Sequence, residues 1–218
     1  MKLLGVYGAS GMGREVLPLV RTQHAAPLSA GTARLVFIDD RMAGERVNGH
    51  EVVAFDDFIR LDAEARAVSV AIADAGVRTR LADQCETAGV SFLSVRADNV
   101  VELDANEIGA GSILCPFVTI TSNAKIGRHF HGNIYSYIAH DCVIGDFVTF
   151  APGVCCNGNV VIEDGAYIGT NAVLKQGGPG DPLVIGRGAV VGMGAVVTRS
   201  VEAGAVVVGN PARPMQRK

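Results

Sequence analysis

A period of six governs the second half of the chain. Stepping by six from Ile108 gives Leu114, Ile120, Ile126, Gly132, Ile138, Ile144, Phe150, Cys156, Ile162, Ile168 and Leu174. All but Gly132 are apolar, where the chain as a whole is 49% hydrophobic; chance would produce this about three times in a thousand. A second comb four residues on reads Ser112, Val118, Ala124, Phe130, Ser136, Cys142, Val148, Val154, Val160, Ala166 and Ala172, nearly all small or β-branched. The register slips at Lys175–Val184, "KQGGPGDPLV", and resumes at Ile185, Val191 and Val197. Neither a helix nor a strand has this period, but a solenoid with one hexapeptide per flat face does. The slipped segment, rich in Gly and Pro, reads as a loop leaving a corner.

The combs and the closing "VVVGNPARPM", Val206–Met215, resemble the hexapeptide acyltransferases. The resemblance implies a left-handed parallel β-helix with three hexapeptides per triangular coil. Residues one coil apart then stack at ~4.8 Å, the strand separation.

The first half has a different grammar. Leu3–Tyr7, Arg34–Ile38, Val68–Ile72 and Ser91–Val95 read as short strands. Gly13–Thr22 and Val77–Ala88 read as helices, the latter with Val77, Leu81, Cys85 and Ala88 on one face. Alternation of this kind predicts an α/β N-terminal domain, a small Rossmann-like parallel sheet, over residues 1–100. The β-helix is expected over 101–218.

Composition narrows the function. A net charge of −3 carries no basic excess for nucleic acid, and no apolar run approaches the roughly 20 residues that cross a bilayer. Met1-Lys2-Leu3-Leu4 begins like a signal peptide, but Gly8-Ala9-Ser10-Gly11 breaks the run too early. Five cysteines without framework spacing read as reduced core residues of a cytoplasmic protein. Cys155-Cys156 does not read as a metal site, because neighbours along a strand face opposite ways.

If first and fifth hexapeptide positions face inward, Ile138 and Cys142 are core, while His140 and Asp141 turn outward at a corner. Ser122, His140, Gly158 and Gln176 then form one column. Gly158 has no side chain, so a thioester is expected to approach beside the histidine. Asp141 is placed to orient the imidazole or favour its protonated form. Cys142, facing the core, is excluded as a nucleophile.

The motif "HDCVIGDF", His140–Phe147, resembles that of nucleotide-sugar N-acetyltransferases acting on UDP-linked 4-amino sugars, and of the related sialic-acid O-acetyltransferases. The resemblance implies His140 as general base, Asp141 as its partner, and acetyl-CoA as co-substrate without a covalent intermediate. It also implies a homotrimer with active sites between subunits, and a role in glycan biosynthesis. Thr149, Gly158, Thr170 and Met193 fall at positions matched to acetyl-CoA contacts. His129 and His131 do not share a column with His140, so no metal is expected.

Gly8-Ala9-Ser10-Gly11-Met12-Gly13 follows a strand and opens a helix, where backbone N–H groups and the helix dipole favour a phosphate. The spacing is not the GxGxxG dinucleotide fingerprint, and a domain this small leaves little room for an NAD-dependent oxidoreductase. Asp39-Asp40 closes the second strand, at the edge where α/β sheets bind ligands. In the resembled family these segments cradle the nucleotide sugar, which makes Ser10, Gly11, Met12, Asp39 and Asp40 candidates. The pattern departs at Met12, often His, at Thr149, also His in near relatives, and at Ile72-Ala73-Asp74-Ala75. Nucleotide, sugar and acceptor therefore stay open: O-acetylation of a sialic-acid-type hydroxyl and non-catalytic nucleotide-sugar binding remain alternatives.

Overall fold

The structure, a computed structural model, describes residues 1–215. The chain divides after Arg96 into two compact units. Among the described residues no helix is long and apolar enough to cross a membrane.

In the first unit, β1 (Lys2–Tyr7), β2 (Ala33–Ile38), β4 (His50–Val53), β5 (Ala65–Val70) and β6 (Ser91–Phe92) run parallel in one sheet. The antiparallel β3 (Arg46–Val47) extends it at the edge, giving the order β3-β4-β2-β1-β5-β6. Strand β1, "KLLGVY", is buried after its first residue, as a central parallel strand covered on both faces must be. Gly5 is the small member: a Cβ there would lie 2.6 Å from Cδ1 of Ile38. Helices α1 (Gly11–Gln23), α2 (Ala25–Ser29), α3 (Phe55–Arg60) and α4 (Ala75–Thr87) complete the unit.

Several expected bounds shift. Helix α1 begins at Gly11 rather than Gly13, because Ser10 is the extended N-cap residue. Strand β5 ends at Val70, and Asp74 caps α4 by accepting the Val77 N–H at 2.7 Å. The fourth strand is only Ser91–Phe92, with Val95–Arg96 a separate piece.

The second unit is a parallel β-helix of two- and three-residue strands. Ile113 pairs with His131, Thr149 and Tyr167 in turn; Thr119 with Tyr137, Cys155 and Val173; Lys125 with Val143 and Val161. Each step advances the chain by three hexapeptides, one full coil. Apart from the half-buried Ile108, every residue of both combs is buried. Gly132, the exception to the apolar comb, makes room for Phe130, whose Cε1 would lie 3.0 Å from a Cβ at that position. The buried hydroxyls Ser112 and Ser136 donate to the carbonyls of Gly109 and Asn133, both at 2.7 Å, so neither is left unpaired.

The corners share a backbone device. Ala105, Asn123, Asp141 and Asn159 all have φ between 56° and 60°, and Phe117, Tyr135 and Asn171, like His129 and Phe147, take the same left-handed conformation. Each lies at the fourth hexapeptide position, where the chain must turn toward the next face. The loop after Lys175 departs and returns without disturbing the ladder. Val143 pairs with Val161 a regular coil later, and Val161 pairs with Val184 across a coil lengthened by the inserted loop. Gly178 and Asp181 close that loop by exchanging backbone hydrogen bonds. At the far end, Val206–Val208 pairs antiparallel with Arg213–Pro214.

Candidate active site

His140 stands on the corner after the strand Tyr137–Ile138. Backbone bonds stitch that corner into its neighbours: the Asp141 N–H donates to Ser122 O and the Asn159 N–H to His140 O, both at 3.0 Å. The imidazole lies over Gly158. A Cβ on Gly158 would fall 2.5 Å from His140 Cε1 and 2.6 Å from Nε2, inside any real contact. The space left by the missing side chain is thus taken by the ring itself, where the sequence suggested it lay open to a thioester.

Nδ1 of His140 lies 2.8 Å from Asp141 Oδ2, and each side chain is 49% exposed. An ionised carboxylate only accepts, so Nδ1 carries a proton, and in the neutral ring Nε2 then presents its lone pair. The bond from His140, and then one from Asn123, hold the Asp141 carboxyl below its usual range. Cys142, next in sequence, is fully buried, with Sγ 3.2 Å from Asn157 O and 4.0 Å from Cys156 Sγ. The Cys156 thiol is raised well above its usual range by its bond to Cys142 and by burial. Neither thiol faces the open corner.

The glycine-rich turn and the end of β2 come together in the first unit. The Asp39 carboxylate accepts the Ala9 N–H on one oxygen and the Arg41 N–H on the other, both at 3.1 Å. Asp40 accepts the Phe55 N–H at 2.9 Å. Both candidates therefore hold backbone: Asp39 ties the turn to the strand end, and Asp40 keeps one oxygen for other partners. Gly8 (φ 102°) backs onto Ile72, and Gly13 lies so close to the Gly8 carbonyl that no Cβ fits between them. Ser10 and Gly11 are exposed and Met12 half-buried at the start of α1. The Ser10 side chain makes no capping bond, so it does not satisfy the first N–H groups of α1 at the positive end of the dipole.

Three residues of consequence were not singled out by sequence. Asn123 donates Nδ2–H to Asp141 Oδ1 at 3.1 Å; its signal was a separation from Asp141 of one coil. Arg78 is completely buried, donates from Nη1 to Ile72 O and Ala73 O at 2.6 and 3.0 Å, and is lowered to about 10 by burial. It fixes the β5–α4 loop on which Gly8 rests. Tyr7, at the end of β1, is 4% exposed and stacks on Phe55. Burial, then Asp40, pushes its phenol well above the usual range, so it stays neutral.

The acetyl-CoA candidates scatter. Gly158 lies under His140. Thr149, in the strand Thr149–Phe150, is 2% exposed, so its side chain does not face the open corner. Thr170 and Met193 share another corner: backbone bonds run Tyr135 to Pro116, Gly153 to Ile134, Asn171 to Pro152 and Gly194 to Thr170. They form a column separate from that of His140. Within one chain the structure does not bring them to the imidazole. His129 and His131 are buried, and His129 stacks on Phe147 at 4.9 Å. Among the described residues no three His, Cys, Asp or Glu side chains are grouped to hold a metal.

None of the protein-family models matches the chain. It is 51% identical over 217 residues to the GDP-perosamine N-acetyltransferase of Escherichia coli O157:H7, covering 100% of this chain and 98% of that one. Among solved structures it resembles WeeI from Acinetobacter baumannii AYE, with TM-score 0.96 and 57% identity over 99% of this chain and 100% of that one. The acetyltransferase domain of PglB from Neisseria gonorrhoeae FA1090, in complex with acetyl coenzyme A, matches with TM-score 0.83 and 27% identity over 98% of both chains.

Proposed function

This chain belongs to the nucleotide-sugar N-acetyltransferases of the hexapeptide-repeat family, and on that premise we propose that it moves the acetyl group of acetyl-CoA onto the 4-amino group of a GDP-linked sugar, with His140 as general base. The nucleotide follows the relative that is 51% identical along its whole length and named for GDP-perosamine. The UDP-linked substrates rested on motif resemblance.

One observation carries the mechanism: the bond from His140 Nδ1 to Asp141 Oδ2 leaves Nε2 as a lone pair on an open corner. The sugar amine attacks the thioester carbon, and Nε2 takes the proton released as the C–N bond forms. Asp141 supports the resulting imidazolium. The tetrahedral intermediate expels the CoA thiolate, which recovers the proton from His140. Both thiols near the site are buried, which supports direct transfer rather than an acyl-enzyme.

The phosphates are assigned to the α1 N-terminus at Ser10–Met12, with Asp39 as the clamp that holds the turn and Asp40 as the carboxylate with an oxygen to spare. The first unit is thus the nucleotide-sugar unit and the second the acyl-transfer unit. The separation of the Thr170–Met193 column from His140 favours a homotrimer in which acetyl-CoA lies between neighbouring β-helices. Five free cysteines favour a reducing compartment, the cytoplasm.

The test is CoA release, followed by thiol titration, with GDP-perosamine, a UDP-linked 4-amino sugar and a free sialic acid offered in parallel. Turnover with the GDP-sugar and a KM at least tenfold worse for the UDP-sugar is the expected result. Preference for the UDP-sugar would reverse the nucleotide assignment, and turnover only with sialic acid would discard the amine acceptor.

A further inference from the structure

We propose that Asn123 is a positioning residue for the transfer, the first member of a chain Asn123–Asp141–His140 that spans two coils and fixes the plane of the base. The proposal rests on His140 being the base.

Asp141 has two carboxylate oxygens, and each has one partner. Oδ2 faces His140 Nδ1 at 2.8 Å, and Oδ1 accepts from Asn123 Nδ2 at 3.1 Å. A carboxylate held through one oxygen swings about its last torsion, which is broad for Asp. Held through both, its plane is set, and the ring bonded to it is set with it. This matters on an open corner, where each side chain of the His140–Asp141 pair is 49% exposed and packing alone does not fix it. A base misaligned with its substrate proton loses much of its effect.

The ordinary explanation of Asn123 is that it turns the corner. Its φ is 60°, a conformation that Asn tolerates better than most residues. The same column argues against that as the whole account. Ala105, one coil earlier, turns the same corner at φ 58° with no amide. Asn159, two coils later, has the amide and the turn at φ 56°, yet its side chain makes no hydrogen bond among the described residues. The amide at 123 is therefore not needed for the turn and is the member of the column that reaches the carboxylate.

Glycine separates the two roles, because it adopts positive φ at no steric cost. Asn123→Gly should keep the thermal melting curve of the parent while kcat falls about tenfold and both KM values stay within twofold. Asn123→Asp keeps the shape but sets a carboxylate against Asp141, and should lower kcat further. In a His140→Ala background neither change should matter, since nothing remains to be aligned. Wild-type kcat in both Asn123 variants, with His140→Ala inactive, would overturn the chain of bonds and leave the base standing. Retention of kcat by His140→Ala would remove the base, and this proposal with it.

Discussion

The imidazole of His140 occupies the volume that a side chain on Gly158 would need, with Cε1 2.5 Å from the vacant Cβ position. The glycine one coil on is therefore a seat for the base. Gly158→Ala should swing the ring off its seat. The clashing atoms belong to a side chain free to rotate outward, so the melting temperature should hold while kcat falls about 10²-fold or more. Combined with His140→Ala, the alanine should cost nothing further, and a rate assay on the double variant checks this.

His140→Ala alone removes an exposed side chain whose loss leaves no cavity. A drop in kcat of about 10²- to 10⁴-fold is expected, with the far-ultraviolet circular dichroism and melting curve unchanged.

Asp39→Ala tests the clamp. Without the carboxylate, the N–H groups of Ala9 and Arg41 lose their acceptor and the turn loosens. The KM for the nucleotide sugar should rise about tenfold, a loss on the order of one charge-assisted hydrogen bond. The KM for acetyl-CoA should not change. Steady-state kinetics varying each substrate in turn shows the split.

Asp141 gives the pH dependence. Its carboxyl lies below the usual range because it accepts from His140 and then from Asn123. A lowered native value means the unfolded chain takes up the proton first on acidification. The pair's contribution to stability is thus present above the ordinary aspartate range and fades as the pH falls through the lowered value. Melting curves of wild type and Asp141→Asn should converge as the pH drops through that window.

Phe130 and Phe150 meet edge to face at 5.2 Å inside the prism, both fully buried. Phe150→Ala should destabilise the second unit by about 3–5 kcal/mol, measured by denaturant unfolding.

The β-helix was legible because a triangular prism allows few residue types at its inward positions, so Ile138 and Cys142 betrayed the direction of His140 between them. The support around the base was less legible. Asn123 becomes visible only when corners, rather than faces, are compared from one coil to the next, and the seat at Gly158 is a matter of which way a ring leans. The part Asp39 plays was hidden for a different reason: an acidic strand end looks the same whether its carboxylate awaits a ligand or already grips backbone. The burial of Thr149 was hidden because its strand position says nothing of what else covers that face. Strand β5 ended early because an N-cap three residues before Val77 outweighed the β propensity of Ile72.

The left-handed corner at Asp141 has one more consequence. The residue that steadies the base also bends the chain, so few amino acids suit both duties: glycine and asparagine turn readily but bring no charge, and glutamate brings charge but dislikes the bend. A substitution that rescues one duty is apt to spoil the other.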